Sequence, residues 1–259
     1  MIELVNVIQH YGVRPVLKNI NLSIRPGELV VIVGPNGMGK STLLGVMGGV
    51  LQPQHGTVTI DGYQRRRSVD EELAIRKMAV FLPDQAWLPS QTTGREFLLS
   101  VGRLYDIEWE RLIEHVSRLL TLFELGEQGD WAIKSYSSGQ KKKIALASAL
   151  LTEVPILFLD EPFSGGLDPS GLLALKRILR RRVTEQGGTV VLTSPVPEIV
   201  EEIADRIVIL RNGEVAAFDS LEGLRQLTGS TGSLSEMLER LLYPETMRKL
   251  QDYFQELPS

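Results

Sequence analysis

LVVIV at 29–33 runs directly into GPNGMGKST at 34–42. The first segment is a short continuous apolar run, which suits a strand covered on both faces. The second matches G-x-x-x-x-G-K-[ST] and opens a helix near Lys40. Gly34, Gly37 and Gly39 let the backbone turn tightly with its N–H groups facing inward, and the helix N-terminus adds to them. The loop Gly34, Pro35, Asn36, Gly37, Met38, Gly39, Lys40, Ser41, Thr42 is therefore a cavity for polyphosphate. Within it Lys40 reaches the β- and γ-phosphates, and Ser41 is a ligand for Mg²⁺. An ordinary glycine-rich turn with a solvated lysine has no need of the flanking strand and helix.

A partner for this loop stands 120 residues after Lys40, where the apolar run ILFL at 156–159 ends in Asp160 and Glu161. An apolar strand that delivers two carboxylates to its C-terminal edge suits Asp160 for Mg²⁺ coordination. Glu161 then orients or deprotonates an attacking water. Taken alone the acid pair says little, because many strands end in acids. Beside a phosphate loop it completes a hydrolytic site.

Outward from these two motifs, strands read at 2–8, roughly 16–24, 58–60, 78–82, 189–193 and 206–210, with turns at Pro26-Gly27 and Asp61-Gly62. Residues 94–125 read as helical. From Trp109, Leu112, Ile113, Val116, Leu119, Leu120 and Phe123 recur at three- and four-residue spacing with charges between them. Further helices follow Gly139 and cover about 170–186 and 197–204. Strands alternating with helices predict an α/β core, and the helical block 94–150 reads as an insert into it. Residues 228–233 (TGSTGS) read as a linker. Beyond it Ser233 and Glu236 fit a capping box ahead of the stripe Leu234, Met237, Leu238, Leu241, Leu242. That stripe predicts a tail helix packed on its own domain or on a partner subunit; acidic Glu236, Glu239 and Glu245 suit anionic lipid poorly.

Composition narrows the function classes. The chain has 259 residues, 43% hydrophobic and 23% charged, which excludes global disorder. Lys plus Arg number 28 against 32 acids, a net charge of −4, so a protein that coats nucleic acid is not expected. There is no cysteine, hence no disulfide framework and no thiolate chemistry. The start MIELVNVIQHYG shows no secretory pattern, and no apolar run approaches 18 residues.

The order and spacing of the motifs resemble the ATPase subunit of an ATP-binding-cassette (ABC) transporter, of export type, over roughly residues 2–220. YSSGQKKK at 136–143 resembles the family signature L-S-G-G-Q: Ser137, Gly139 and Gln140 match, Ser138 replaces a glycine and Tyr136 a leucine. A serine hydroxyl and glycine N–H groups at a helix start form an anion site. In the family that site, here Ser137, Ser138, Gly139 and Gln140, closes over the γ-phosphate held by another subunit. Tyr11 resembles the aromatic that stacks on adenine. The resemblance implies an α/β P-loop NTPase core with an antiparallel β subdomain and an inserted α-helical subdomain. The cassette would span residues 1–227, with the insert at about 92–150, and 228–259 would be linker and C-terminal helical extension. It further implies ATP and Mg²⁺, and a second ATPase subunit, identical or not. A separate transmembrane permease and a place on the cytoplasmic face of the cell membrane are implied as well.

Three departures from the family pattern bear on rate. Pro83-Asp84 stands where the family has a glutamine that touches Mg²⁺ or water and faces the membrane partner; Asp84 can still hold the cation through water. EPFSGGLDP has both Gly165 and Gly166 where one glycine is usual, which would shift Asp168 by about one strand step, ~3.3 Å, and loosen its dimer contact. Pro195 occupies the place of the switch histidine and has neither a side-chain donor nor a backbone N–H. Thr193 and Ser194 are the nearest hydroxyls that could stand in, while His10, His55 and His115 lie elsewhere in the pattern. The alternative reading is a weakly hydrolysing dimerisation module, or the degenerate half of a heterodimer. A DNA-repair or translation ATPase is disfavoured by the single cassette and the lack of a long coiled coil.

Overall fold

The computed structural model describes residues 1–255, and of 250–252, 254 and 255 only the backbone. Residues 256–259, the end of the expected extension, lie outside the described residues. Two sheets carry the chain. β1 (Ile2–His10), β2 (Pro15–Ile24), β4 (His55–Ile60) and β5 (Tyr63–Gln64) form an antiparallel sheet in the order β2-β1-β4-β5. The second sheet runs β10-β9-β3-β8-β7-β6, built from β3 (Leu29–Val33), β6 (Ala79–Leu82), β7 (Ile156–Leu159), β8 (Thr189–Thr193), β9 (Arg206–Arg211) and β10 (Glu214–Asp219). All of its pairs are parallel except the β9–β10 hairpin.

The apolar strands divide by period two between two cores. In β3, Leu29, Val31 and Val33 enter the core beneath the helices, while Val30 and Ile32 enter the core shared with the antiparallel sheet. β7 and β9 alternate in the same way, with Leu157, Leu159, Ile207 and Ile209 on one side and Ile156, Phe158, Val208 and Leu210 on the other. Between the sheets lies α1 (Lys40–Gly48), whose Leu43, Leu44, Val46 and Met47 are all fully buried. Beyond its polar first turn, a helix apolar all round is what that position requires.

The helical block consists of α3 (Gly94–Leu104), α4 (Trp109–Leu122) and α5 (Ser138–Leu151), after α2 (Val69–Met78) outside it. Leu112, Val116, Leu119 and Leu120 of α4 are buried, as the spacing predicts, whereas Ile113 is 44% exposed. These side chains join Leu98, Ile144 and Leu151 in a core continuous with that of the parallel sheet. On the sheet's flank lie α6 (Pro169–Thr184) and α7 (Pro197–Ile203), and α8 (Leu221–Thr228), α9 (Leu234–Leu242) and α10 (Pro244–Gln255) finish the chain. The 228–233 stretch is a short turn between α8 and α9, with Ser230 buried. Ser233 accepts from the Glu236 N–H as an N-cap, but the reciprocal bond of the expected capping box is absent. The fold is the P-loop NTPase architecture with antiparallel and parallel sheets and a helical insertion.

Candidate active site

The strand order 9-3-8-7 places the loop after β3 and the acids after β7 on either side of β8, all at the C-terminal edge of the sheet. The phosphate loop turns as its glycines require: Gly39 has φ 95° and caps α1 in the left-handed region, and a Cβ there would meet Val16 and Leu17 at 3.0 Å. Lys40 is 5% exposed and folds back over the loop. Its Nζ donates to the carbonyls of Gly34 (2.9 Å) and Pro35 (3.3 Å) and to Asn36 Oδ1 (3.4 Å). Burial lowers the pKa of this ammonium, and the charges of Glu161 and Asp160 oppose that shift.

Asp160, 6% exposed, collects the hydroxyls around it. Its Oδ1 accepts from Ser41 Oγ at 3.1 Å and from Thr193 Oγ1 at 2.6 Å. The Glu161 N–H donates to the same Thr193 hydroxyl at 2.8 Å, and the Asp160 N–H to the Leu82 carbonyl at 2.9 Å. Ser41 and Asp160, expected on one cation, are thus in direct contact. Both offer hard oxygen donors, and both hydroxyl bonds to Asp160 converge on Oδ1, so the carboxylate keeps a second oxygen for a divalent ion that takes its remaining ligands from phosphate and water. Glu161 is only half-buried and has φ 44°, an uncommon conformation for a residue with a side chain.

Tyr11 is 66% exposed and lies beside α1, its hydroxyl 3.4 Å from Thr42 Oγ1, where an open aromatic face is available to a base. Ser137 and Gln140 form a reciprocal capping box at the start of α5, with bonds of 3.2 and 2.9 Å. Gly139 is required there by close approach, since a Cβ would stand 2.5 Å from the Gly166 carbonyl. No hydrogen bond among the described residues joins 137–140 to the phosphate loop. Tyr136 is buried and donates to the Gln128 carbonyl at 2.6 Å, which gives it a packing role at the head of this segment.

Two lysines of α5, with no motif to mark them in the sequence, organise the flanking loops. Lys142 Nζ donates to Asp84 Oδ1 (3.1 Å) and to the Asp84 carbonyl (3.3 Å); Ser164 Oγ lies 3.2 Å from the same Oδ1, but its one proton has a shorter path to the Glu161 carbonyl at 2.8 Å. Asp84, expected to hold the cation through water, therefore has a buried ammonium as its partner. Lys143 Nζ donates to Asp168 Oδ2 at 2.7 Å, while Asp168 Oδ1 accepts from the Gly171 N–H and caps α6. The doubled glycine, Gly165 and Gly166 both at positive φ, leaves Asp168 anchored within its own chain. Pro195 is exposed and leads into Val196 and Pro197 at the start of α7. Of the hydroxyls that could stand in for the missing histidine, Thr193 is committed to Asp160 and Glu161, and Ser194 accepts from the Val196 N–H at 3.2 Å.

Comparison with known proteins agrees with this geometry. The ABC transporter family profile matches residues 17–164. Daunorubicin resistance ATP-binding protein DrrA3 of Streptomyces coeruleorubidus is 34% identical over 85% of this chain and 68% of its own. Among solved structures, an ATP-binding subunit of an ABC transporter superposes with TM-score 0.85 at 28% identity, covering 93% of this chain and 98% of the other. The dimeric cassette MJ0796, in a post-hydrolysis state bound to ADP and Pi, superposes with TM-score 0.78 at 30% identity over 85% and 99%. With a family profile over more than half of its length, a relative at 34% identity, and a phosphate loop whose serine touches the carboxylate at the end of β7, this chain belongs to the ABC transporter family as an ATP-binding subunit.

Proposed function

We propose that this chain is the motor of a two-component exporter. It closes head to tail on a second ATPase subunit around Mg·ATP and drives a separate transmembrane permease from the cytoplasmic face of the membrane. Each site would take Tyr11, Gly34–Thr42, Asp160 and Glu161 from one subunit and Ser137–Gln140 from the other. The observation that carries this reading is the contact of Ser41 and Thr193 with Asp160, beside a Glu161 whose carboxylate has no hydrogen-bond partner among the described residues. In this scheme Lys40 neutralises the β- and γ-phosphates, and Ser41 with Asp160 holds Mg²⁺, which neutralises charge on the phosphate oxygens. Glu161 accepts the proton of the attacking water. Between the Asp84 loop and α5 lies a cavity of about 480 Å³ lined by Trp87, Leu88 and Ile133. Trp87 is 83% exposed, and an open indole beside the signature helix suits a helix of the permease. No helix among the described residues is long and apolar enough to cross a membrane. The export direction rests on the resistance protein among the relatives.

Pro195 favours a second reading, an ATP-dependent dimerisation module with slow chemistry. Losing a hydrogen bond to charged phosphate, worth about 1.5–3 kcal/mol, slows turnover roughly ten- to a hundredfold. Two measurements separate the readings. Light scattering with Mg·ATP should find Glu161→Gln as a dimer, and a strictly monomeric E161Q would refute the composite site in a homodimer. Phosphate release at saturating Mg·ATP should rank Pro195→His above the parent and the parent above E161Q. A parent no faster than E161Q selects the binding module.

A further inference from the structure

We propose that Thr193 is a positioning residue that sets both carboxylates of the site through one hydroxyl; the proposal rests on the hydrolytic reading above. β8 lies between β3 and β7, and the register pairs Thr193 with Ile32 on one side and Leu192 with Leu159 on the other. One step further along, Thr193 is level with Asp160. The strand is otherwise apolar here, with Val190, Val191 and Leu192 fully buried. A valine, the same shape, would satisfy packing alone. The hydroxyl has another task.

That hydroxyl has one proton and its lone pairs. The proton goes to Asp160 Oδ1 at 2.6 Å, inside the range of a charge-assisted O–H···O⁻ bond. A lone pair accepts from the Glu161 N–H at 2.8 Å. Ser41 Oγ shares Oδ1 but at 3.1 Å, and its own place is on the cation. Thr193 is fully buried and cannot touch nucleotide, so its hold on Asp160 survives nucleotide binding. The second bond matters as much. Glu161 sits at φ 44°, and its peptide is held from both sides, the N–H by Thr193 and the carbonyl by Ser164 N and Oγ at 3.1 and 2.8 Å. Without the Thr193 hydroxyl the N–H side is free, the residue relaxes from the left-handed region, and its carboxylate swings with it.

The test compares the parent, Thr193→Val, Thr193→Ser and E161Q in the full chain. T193V should lower kcat by about 10- to 100-fold, the scale of a misplaced reacting group, with the KM and calorimetric Kd for Mg·ATP within about threefold of the parent. T193S should restore kcat to within about threefold, because it restores the hydroxyl. Hydrogen exchange at the Glu161 amide should quicken about tenfold or more in T193V and not in T193S. A parental kcat in T193V, or T193S as slow as T193V, overturns the proposal. So does unchanged exchange at Glu161. If the parent turns over no faster than E161Q, the hydrolytic reading is what has failed, and amide exchange alone decides whether Thr193 holds Glu161.

Discussion

Lys40 shows what a single residue contributes before nucleotide arrives. Its ammonium is desolvated and held by two loop carbonyls and Asn36, so the cradle keeps a cation in a site shaped for anions. Replacing Lys40 with Ala should leave the loop's path intact, since the glycines set it, but remove a charged hydrogen bond worth about 1.5–3 kcal/mol, weakening Mg·ATP binding roughly 10- to 100-fold by calorimetry. Parental affinity in K40A would contradict the phosphate placement. The loop and the Asp160–Glu161 pair were legible in the sequence because each is a local geometry: glycines at fixed spacing, or acids at the end of an apolar run. Thr193 reads from the sequence only as a candidate donor to phosphate. Its actual partners depend on β8 lying between β3 and β7, and strand order leaves no mark in a single chain.

At the scale of elements, α5 does more than present Ser137–Gln140. Lys142 and Lys143, consecutive on one helix, tie it to the Asp84 loop and to the N-terminus of α6. Lys143 and the Gly171 N–H hold the Asp168 carboxyl below the usual carboxylate range. A carboxyl whose folded pKa is depressed stabilises the fold above its unfolded pKa, and the contribution disappears as pH falls through the folded value. The difference in melting temperature between the parent and Asp168→Asn should therefore be full at neutral pH and shrink below the ordinary aspartate range. A difference that stays constant down to that acid limit would show that the cap does not depend on the charge. The sequence displayed α4 and α5 clearly but not α2, β10 or α8. α2 buries only Ile75, and β10 is an edge strand with no fully buried residue, so neither carries a periodic apolar signal. The lysine ties were hidden for a different reason: a KKK run reads as a solvated face until its neighbours are known.

Over the whole molecule, the alternation within β3, β7 and β9 sorts side chains into two cores, and that much follows from the period of a strand once both faces are known to be covered. How the chain's end relates to those cores does not follow from period, because the TGSTGS stretch has a linker's composition. α9 nevertheless buries Leu234 and Met237 completely in the core that contains Val200, Ile203 and Leu224, and Glu201 of α7 accepts from the Leu234 N–H. Arg211 adds a bond from β9 to the Leu241 carbonyl at 2.7 Å. α9 also walls a cavity of about 350 Å³ against Gly34–Asn36 and Pro195, yet no hydrogen bond among the described residues runs from α9 to the phosphate loop. Stability and nucleotide binding should therefore separate. Met237→Ala removes a fully buried side chain at a cost of about 2–5 kcal/mol. At roughly 2–4 °C per kcal/mol for a domain of this size, the melting temperature should fall by roughly 4–20 °C. The Kd for Mg·ATP, measured well below the transition, should stay within about twofold, because the phosphate loop takes its shape from β3, α1 and its own glycines. An unchanged melting temperature would mean that α9 is not packed on this core in solution. A lost affinity with the fold intact would mean that the cavity between α9 and Pro195 belongs to the nucleotide site.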